Sequence, residues 1–221
     1  FFATILGAFL GAIAVLAVIL FFSTFVRNNL MLLIIGMMVG YLTSSLISLL
    51  NFFASANQVH AYTMWGMGNF SSVSTERLPF FIGLVAIGLV MALLMMKPLD
   101  ALLLGDRYAQ NLGVNTTRTR HMLLLATGLL SAITTAFCGP ISFIGLATPH
   151  MARFMSPSGS HLSLLPRTMA LGASIALACN LLCNLPESSV LPINVLTPLI
   201  GAPVIVYHTL APALSARRRK G

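Results

Sequence analysis

Long apolar runs dominate this chain and constrain its fold more than any other feature. A helix that crosses the hydrocarbon core of a bilayer needs about 20 mostly apolar residues at 1.5 Å rise per residue. Six runs reach or approach that length: Phe1–Phe22, Leu30–Phe53, Leu78–Met96, Met122–Phe137, Leu162–Leu185 and Ile193–Leu214. Only 7% of the residues are charged, whereas soluble domains carry about 25%. The sequence therefore predicts an all-α, polytopic membrane protein that forms a single transmembrane domain over residues 1–221.

The start of the chain differs from that of a secreted protein. Phe1 opens directly into an apolar run, with no initiating Met and no basic flank. A signal peptide has a charged region before its apolar core, so the run is not one. We expect the sequence to be an N-terminally truncated fragment whose first membrane helices are missing.

The distribution of basic residues predicts the orientation. The cluster Arg217–Lys220 is placed in the cytoplasm, and the spans are counted backwards, with the short run Ile141–Met155 taken as a partial crossing. Of the 12 Lys and Arg residues, only Arg77 then falls on the outer side, which is the positive-inside pattern. The formal charge of +8 does not indicate nucleic-acid binding, because the basic residues lie at the ends of apolar runs and not on a soluble module.

A charged segment, Lys97–Arg120, interrupts the apolar sequence, and we call it the island. It combines two acidic and four basic residues with apolar ones. Between two lipid-spanning segments, such a segment must lie in water. Two interpretations stay open: an amphipathic pair resting on the bilayer surface, or a docking element for a cytoplasmic subunit.

Turn and capping signals divide the island into two short helices within residues 98–113. Pro98 is suited to the first turn of a helix, and Gly105 ends that helix. Asp106 is predicted to be the N-cap of a second helix, Arg107 to Leu112, and Gly113 is placed just past its end.

Small residues mark two further features. Gly36, Gly40, Ser44 and Ser48 recur every four residues in the second run. They form a face that either packs on other helices or lines a path, and packing is favoured. Backbone breaks at Gly139-Pro140, Gly145 and Thr148-Pro149 lie at membrane depth. Such breaks occur only where they are buried in protein or line a cavity, and packing is again favoured.

Motifs for catalysis and metal binding are missing from the sequence. It has no Walker A, HExxH or GxSxG motif and no clustered carboxylates. The three cysteines lack metal-ligand spacing, and His150 is expected to be structural. We therefore expect no catalytic residues, no metal site and no cofactor. No acidic residue lies inside a span, which argues against an ion-coupled secondary transporter.

Four segments together resemble the permease subunits of FecCD-type ABC importers for iron–siderophore, haem and cobalamin. They are LLLGDRYAQNLGVN from Leu102, GPISFIGLATPHMARFM from Gly139, LLPRTMALGAS from Leu164 and LPINVLTPLIGAPVIVYHTL from Leu191. Their order and spacing match along the whole chain. The matching motif positions to which a structural role is carried over are Gly139, Pro140, Gly145, Pro149, His150, Arg153, Gly201 and Pro203.

The resemblance implies a transport function. Such a permease works as a homodimer in the bacterial plasma (inner) membrane, with two cytoplasmic subunits that bind and hydrolyse ATP. A periplasmic or lipid-anchored binding protein delivers the chelate. The alternatives are an ABC permease for free metal ions or a secondary transporter.

The resemblance also assigns roles to residues. The positions implied to couple to the ATPase are Leu103, Leu104, Gly105, Asp106, Arg107, Ala109, Leu112 and Gly113. Those assigned to the cytoplasmic gate or the path are Asn28, Asn29, Leu30, Gly36, Gly40 and Ser44. A short helix near Met64–Gly68 matches the outer-face helix of the family. Cys183 stands about where many members have an Arg that meets the binding protein, so that pairing is in doubt.

Overall fold

The computed structural model describes residues 2–26, 29–155, 159–185, 191–199 and 201–203, and within them every regular element is helical. The helices are α1 (Phe2–Phe25), α2 (Asn29–Phe53), α3 (Ala56–Gly66), α4 (Leu78–Leu94), α5 (Met96–Leu102), α6 (Asp106–Asn111), α7 (Thr116–Cys138), α8 (Ile144–Met155) and α9 (His161–Cys183). A short 3₁₀ turn covers Phe70–Ser72, and residues 193–199 and 201–203 are also helical. The predicted all-α class is confirmed.

Among the described residues, four helices are long and apolar enough to cross a membrane: Leu6–Phe25, Leu30–Phe53, Thr116–Cys138 and His161–Cys183. A fifth span results if α4 and α5, which meet at a 41° bend, are taken together. Large apolar side chains such as Phe25 and Phe52 are exposed on α1 and α2. An apolar surface of this extent is unfavourable in water and suits lipid or further helices. The predicted polytopic membrane architecture is confirmed.

The bend between α4 and α5 has a cause in the sequence. Pro98 has no N–H to donate to the carbonyl of Leu94, and its ring crowds that carbonyl. α4 ends at Leu94, and Met95 separates it from α5. The third span and the first helix of the island are therefore almost continuous.

The helix α7 begins at Thr116, earlier than the predicted start at Met122. Asn115 is its N-cap, and the side-chain Oδ1 of Asn115 accepts a hydrogen bond from the Arg118 N–H at 2.9 Å. This cap satisfies one of the unpaired donors at the helix start. The polar residues at the end of the island, including Arg120, therefore form the first turns of a membrane helix.

One compact unit comprises residues 1–66 and 71–140, with α7 packed on α1 and on α4. Glycines allow the close approach of these helices. A Cβ built on Gly88 of α4 would lie 2.6 Å from Leu130 Cδ2, and one on Gly128 of α7 would collide with the side chain of Leu16. Phe81 packs on Phe137, with ring centroids 5.2 Å apart.

The second unit comprises residues 67–70 and 141–221, and within its described part α8 packs on α9. A Cβ on Gly172 of α9 would meet Thr148 Cγ2 of α8 at 3.6 Å. Asn194 joins two loops: its Oδ1 accepts hydrogen bonds from the N–H and the hydroxyl of Ser142, at 3.1 and 3.2 Å. Its N–H donates to the carbonyl of Met67 at 3.2 Å.

Candidate functional site

The turn between the two island helices depends on Gly105. This residue has φ 99° and ψ 155° and is the N-cap of α6. That backbone conformation is open essentially only to glycine. The prediction that Asp106 is the N-cap is wrong, because the chain uses this glycine conformation, and not a side-chain oxygen, to start α6. Asp106 is the first helical residue, where a carboxylate favours the positive end of the helix dipole.

The end of α6 agrees with the prediction. Gly113 has φ 82°, its N–H donates to the carbonyl of Gln110 at 2.9 Å, and the Val114 N–H donates to the carbonyl of Ala109 at 3.0 Å. This pair of bonds is the Schellman motif, which closes a helix on a left-handed glycine. The helix α6 is therefore fixed by Gly105 at its start and by Gly113 just past its end.

Four large apolar side chains of the island, in α6 and directly beside the two helices, are exposed. They are Leu103, Leu104, Tyr108 and Leu112, and we call them together the apolar knob. The charged Arg107 is exposed beside it. By contrast, Ala109 is completely buried, and α6 packs on α5 and α7. The island is thus seated on its own unit through one face and leaves the knob uncovered by the described chain.

A cleft of about 1120 Å³ lies beside the island in the same unit. It is lined by the end of α1, the start of α2, the island and the start of α7. Two of the site residues predicted from the sequence, Gly36 and Asp106, are brought together here. The other lining residues are Ile19, Ser23, Thr24, Leu32, Leu33, Met37, Leu102, Gln110, Thr116, Thr117, Arg120, Leu123 and Leu124.

Two hydrogen bonds connect the elements around the cleft. Gln110 Nε2 donates to Thr116 Oγ1 at 3.3 Å, which links α6 to the first turn of α7. Arg120 Nη1 donates to the carbonyl of Val26 at 3.3 Å, just after the end of α1. Sequence reasoning missed both Thr116 and Arg120. The sequence pattern that could have indicated them is their spacing, because residues four apart lie on the same face of a helix.

The residues predicted for the gate and the path are only partly described. Asn28 lies outside the described residues, Asn29 is the first residue of α2, and Leu30 is exposed. On α2, Gly40 and Ser44 are exposed, and a Cβ on Gly36 or Gly40 would meet nothing within 4 Å. Within the described chain, Gly40 and Ser44 are thus uncovered, whereas Gly36 lines the cleft.

The family-motif residues divide into buried and exposed positions. Gly139 caps the end of α7 with φ 77° and is buried. Gly201 is buried, and a Cβ there would lie 3.4 Å from Phe143 Cβ. The remaining positions are half-buried or exposed: Pro140, Gly145, Pro149, His150, Arg153 and Pro203.

The searched, described residues contain no group of three or more His, Cys, Asp or Glu side chains that could hold a metal ion. The three cysteines, Cys138, Cys179 and Cys183, are free thiols and are buried. The candidate site thus consists of the exposed apolar knob and the cleft beside it, in a helical membrane protein.

Comparison with known proteins defines the class. The chain belongs to the FecCD transport family, whose profile matches residues 1–211. It is also similar in fold, with a TM-score of 0.84 and 30% identity, to a solved structure described as an inward-facing conformation of a metal-chelate type ABC transporter. That match covers 94% of this chain and 71% of the other. The chain is therefore a multi-pass membrane protein of a transport family.

Several curated permeases are similar in sequence. The vitamin B12 import system permease BtuC of Klebsiella pneumoniae is 33% identical over 206 residues, which cover 93% of this chain and 62% of that protein. The hemin transport system permease HmuU of Yersinia pestis is 31% identical, covering 92% of this chain and 61% of that protein. The molybdate import system permease MolB of Haemophilus influenzae is 35% identical, covering 82% and 55%. The chain thus spans about three-fifths of the first two of these proteins and somewhat less of the third.

Proposed function

We propose that this chain is the membrane-spanning permease subunit of an ABC importer in the bacterial plasma (inner) membrane. Its cargo is an iron–siderophore, haem or cobalamin-type chelate, carried into the cytoplasm. The single observation that carries the proposal is the family match over residues 1–211. The cargo class is supported by the relatives named for vitamin B12 and hemin.

ATP hydrolysis in this proposal is performed by separate cytoplasmic subunits that dock on the island. Supporting this role, the apolar knob is exposed on a pair of helices fixed by glycines at their turn and end. A few side chains, most often Trp, Tyr and Arg, supply most of the binding energy at protein interfaces, so Tyr108 is the expected anchor of the knob. Arg107 at the rim contributes about 0–1 kcal/mol to affinity. Its main proposed effect is to set the register in which the two proteins dock. Asp106, at the first turn of α6, is exposed and also borders the cleft, so it is proposed to contact the docked subunit at the edge of the island.

The transporter is proposed to contain two copies of the permease. The small-residue face of α2, with Gly36, Gly40 and Ser44, is the part that would face the partner copy or the path. It offers no charged group, which suits a bulky chelate. Asn28, Asn29 and Leu30, which precede or begin α2, are proposed to form the cytoplasmic gate.

A periplasmic or lipid-anchored binding protein is the proposed source of the chelate. Cys183 occupies the position at which an Arg was expected to contact that protein. The side chain of Cys183 is buried in α9, so it presents no surface for a charge pair. The binding protein is therefore proposed to dock through other residues of the outer face.

A second cargo class has one specific observation in its favour. The relative with 35% identity is named for molybdate, which is an oxyanion and not a chelate. Transport of an oxyanion is thus the main alternative outcome of the test. Transport of free metal cations and ion-coupled transport are weaker alternatives.

The test reconstitutes the permease with its ATP-binding subunit and binding protein in liposomes. Cobalamin, haem, a ferric hydroxamate and molybdate are each offered on the side of the binding protein. The expected result is accumulation of one chelate. This accumulation should require ATP and should be lost when the Walker A lysine of the ATPase subunit is substituted. Uptake driven by an ion gradient without ATP would contradict the ABC assignment. Uptake of molybdate alone would replace the cargo class.

A further inference from the structure

We propose that the cleft beside the island binds one membrane phospholipid with a zwitterionic headgroup, phosphatidylethanolamine. The headgroup lies among the polar residues of the cleft, and the acyl chains run along its apolar walls. This lipid site goes beyond the proposed transport function and does not depend on it.

The polarity of the cleft changes along the helices that form it. The last turn of α1 contributes Ser23 and Thr24, and the first turn of α7 contributes Thr116 and Thr117. Further into the helices the lining is apolar, and it includes Ile19, Leu32, Met37, Leu123 and Leu124. Thr117 and Leu124 are seven residues apart on α7, which corresponds to about 10 Å along the helix axis. A bilayer passes from headgroup to hydrocarbon over a similar distance, so the cleft matches an amphiphile and not a free ion.

A buried hydroxyl at the polar end lacks a partner. Ser23 is only 5% exposed, and within the described part of the chain its Oγ has no hydrogen-bond partner. Buried polar groups are nearly always hydrogen-bonded. Since Ser23 lines the cleft, an oxygen of a bound headgroup is a suitable acceptor for its hydroxyl.

The same end of the cleft favours a phosphate. Arg120 lines it, and the hydrogen bond from Arg120 Nη1 to the carbonyl of Val26, at 3.3 Å, fixes the guanidinium there. A guanidinium matches the geometry of phosphate oxygens with several donors at once. The start of α7, at Thr116 and Thr117, adds the positive end of a helix dipole.

The island supplies acceptors for an ammonium group. Gln110 Nε2 donates to Thr116 Oγ1 at 3.3 Å, so the amide oxygen Oε1 of Gln110 remains as an acceptor. The carboxylate of Asp106 belongs to the same lining. An ethanolamine ammonium can donate to both, whereas the trimethylammonium of phosphatidylcholine has no N–H to donate.

The charge of the lining selects the headgroup. Arg120 and Asp106 are the charged residues among those that line the cleft, and their formal charges cancel. A zwitterionic headgroup can place its phosphate at the arginine and its ammonium at the carboxylate. An anionic headgroup such as phosphatidylglycerol would leave the carboxylate without a cationic partner on the lipid.

The size of the cleft also fits a lipid. Its volume of about 1120 Å³ exceeds the roughly 300–1,000 Å³ of most small-molecule sites. Gly36 forms part of the α2 wall, and a Cβ built there would meet nothing within 4 Å. The wall at Gly36 therefore has room for an acyl chain, and a bulky side chain at this position would take that room.

The first experiment measures lipid binding by native mass spectrometry. The protein is purified in detergent, stripped of lipid and titrated with phosphatidylethanolamine, phosphatidylcholine or phosphatidylglycerol of identical acyl chains. Soluble glycerophosphoethanolamine is the probe for the headgroup alone. The variants are Arg120→Met, Arg120→Lys and Gly36→Leu. The matched controls are Arg118→Met, at an exposed position of the same helix, and Gly40→Leu, which also has open space but lies outside the cleft lining.

Phosphatidylethanolamine should bind with the lowest dissociation constant for the first lipid. Arg120→Met should raise that constant roughly ten-fold, which corresponds to about 1.4 kcal/mol, and Arg120→Lys should recover part of the loss. Gly36→Leu should also weaken binding by roughly ten-fold. Arg118→Met and Gly40→Leu should match the parent protein.

The second experiment locates the bound lipid. Phosphatidylethanolamine with a diazirine in its acyl chain is cross-linked to the protein in membranes, and the modified peptides are identified by mass spectrometry. Adducts are expected on the cleft walls, at residues 32–37 and 123–124. Adducts spread evenly over the exposed faces of α1 and α2 would show only surrounding bilayer lipid and would overturn the proposal.

Three binding results would also overturn it. They are equal or tighter binding of phosphatidylglycerol, equally tight binding of glycerophosphoethanolamine, and unchanged lipid binding in both Arg120→Met and Gly36→Leu. If another segment or protein fills the cleft, the first lipid will show no dependence on these two positions, which is the third of these results. Selective lipid binding without ATP-driven transport would remove the proposed function and leave the lipid site standing.

Discussion

Replacing Gly105 with Ala tests whether the island must keep its shape to bind a partner. Gly105 adopts φ 99° and ψ 155°, a region in which a residue with a Cβ costs about 1–3 kcal/mol. A Cβ at this position would meet nothing within 4 Å. The whole cost therefore comes from the backbone and not from a clash.

The cost is expected to appear in docking. If the ATPase subunit binds only the island geometry seen here, the variant must restore that geometry at a cost of about 1–3 kcal/mol. Since about 1.4 kcal/mol corresponds to a factor of ten, affinity should fall roughly 5- to 150-fold. The assay titrates permease in nanodiscs with the ATPase subunit and measures the dissociation constant.

A matched control separates this effect from glycine replacement in general. Gly145 in α8 is exposed, has open space around its Cβ direction and lacks the positive φ. Gly145→Ala should leave the dissociation constant unchanged. Binding of Gly105→Ala within about two-fold of the parent, well below the ten-fold step of 1.4 kcal/mol, would refute the requirement for a fixed turn.

Three further substitutions test the packing of α4 on α7, the N-cap of α7 and the docking role of Asp106. Gly88→Ala should lower stability by about 1–3 kcal/mol through overpacking against Leu130, whereas Gly83→Ala on the same helix, with nothing within 4 Å, should be neutral in thermal unfolding. Asn115→Ala should cost about 1 kcal/mol at the start of α7, seen as faster amide exchange confined to its first turn; uniform exchange would contradict the cap. Asp106→Arg should weaken co-purification of the ATPase subunit, and unchanged co-purification would remove Asp106 from the coupling set.

The helices were largely predictable from the sequence, because bilayer thickness and apolar run length determine them. The second run, Leu30–Phe53, matches α2 to within one residue. The start of α7 was missed because its first turns are polar, and hydropathy alone does not register a capped, charged helix start. Asn115 carried the missing signal, since Asn is a favoured N-cap.

The site was predictable where its backbone needs a conformation that glycine favours. Gly113 was placed correctly, because a left-handed C′ residue is almost always glycine. At Gly105 the same residue type was assigned to stopping α5, and its role in starting α6 was overlooked in favour of Asp106. Two adjacent capping candidates cannot be ranked without the backbone angles that the packed structure imposes.

Long-range contacts could not be derived from the sequence. Arg120 meets Val26 across 94 residues because α1 and α7 pack side by side. No local pattern predicts that two particular helices are neighbours. The face of α2 with Gly40 and Ser44 shows the opposite difficulty: its small residues suggested packing, and within this chain it is exposed.

Site-specific photo-crosslinking asks whether the ATPase subunit docks on the apolar knob. A benzophenone amino acid replaces Tyr108 of the apolar knob, and in a separate protein it replaces the exposed Tyr62 of α3, on the predicted outer side. Both are activated in membranes that contain the ATPase subunit and the binding protein. We expect a cross-link from position 108 to the ATPase subunit and none from position 62. A cross-link from position 62 to the ATPase subunit, with none from position 108, would contradict both the orientation and the docking role.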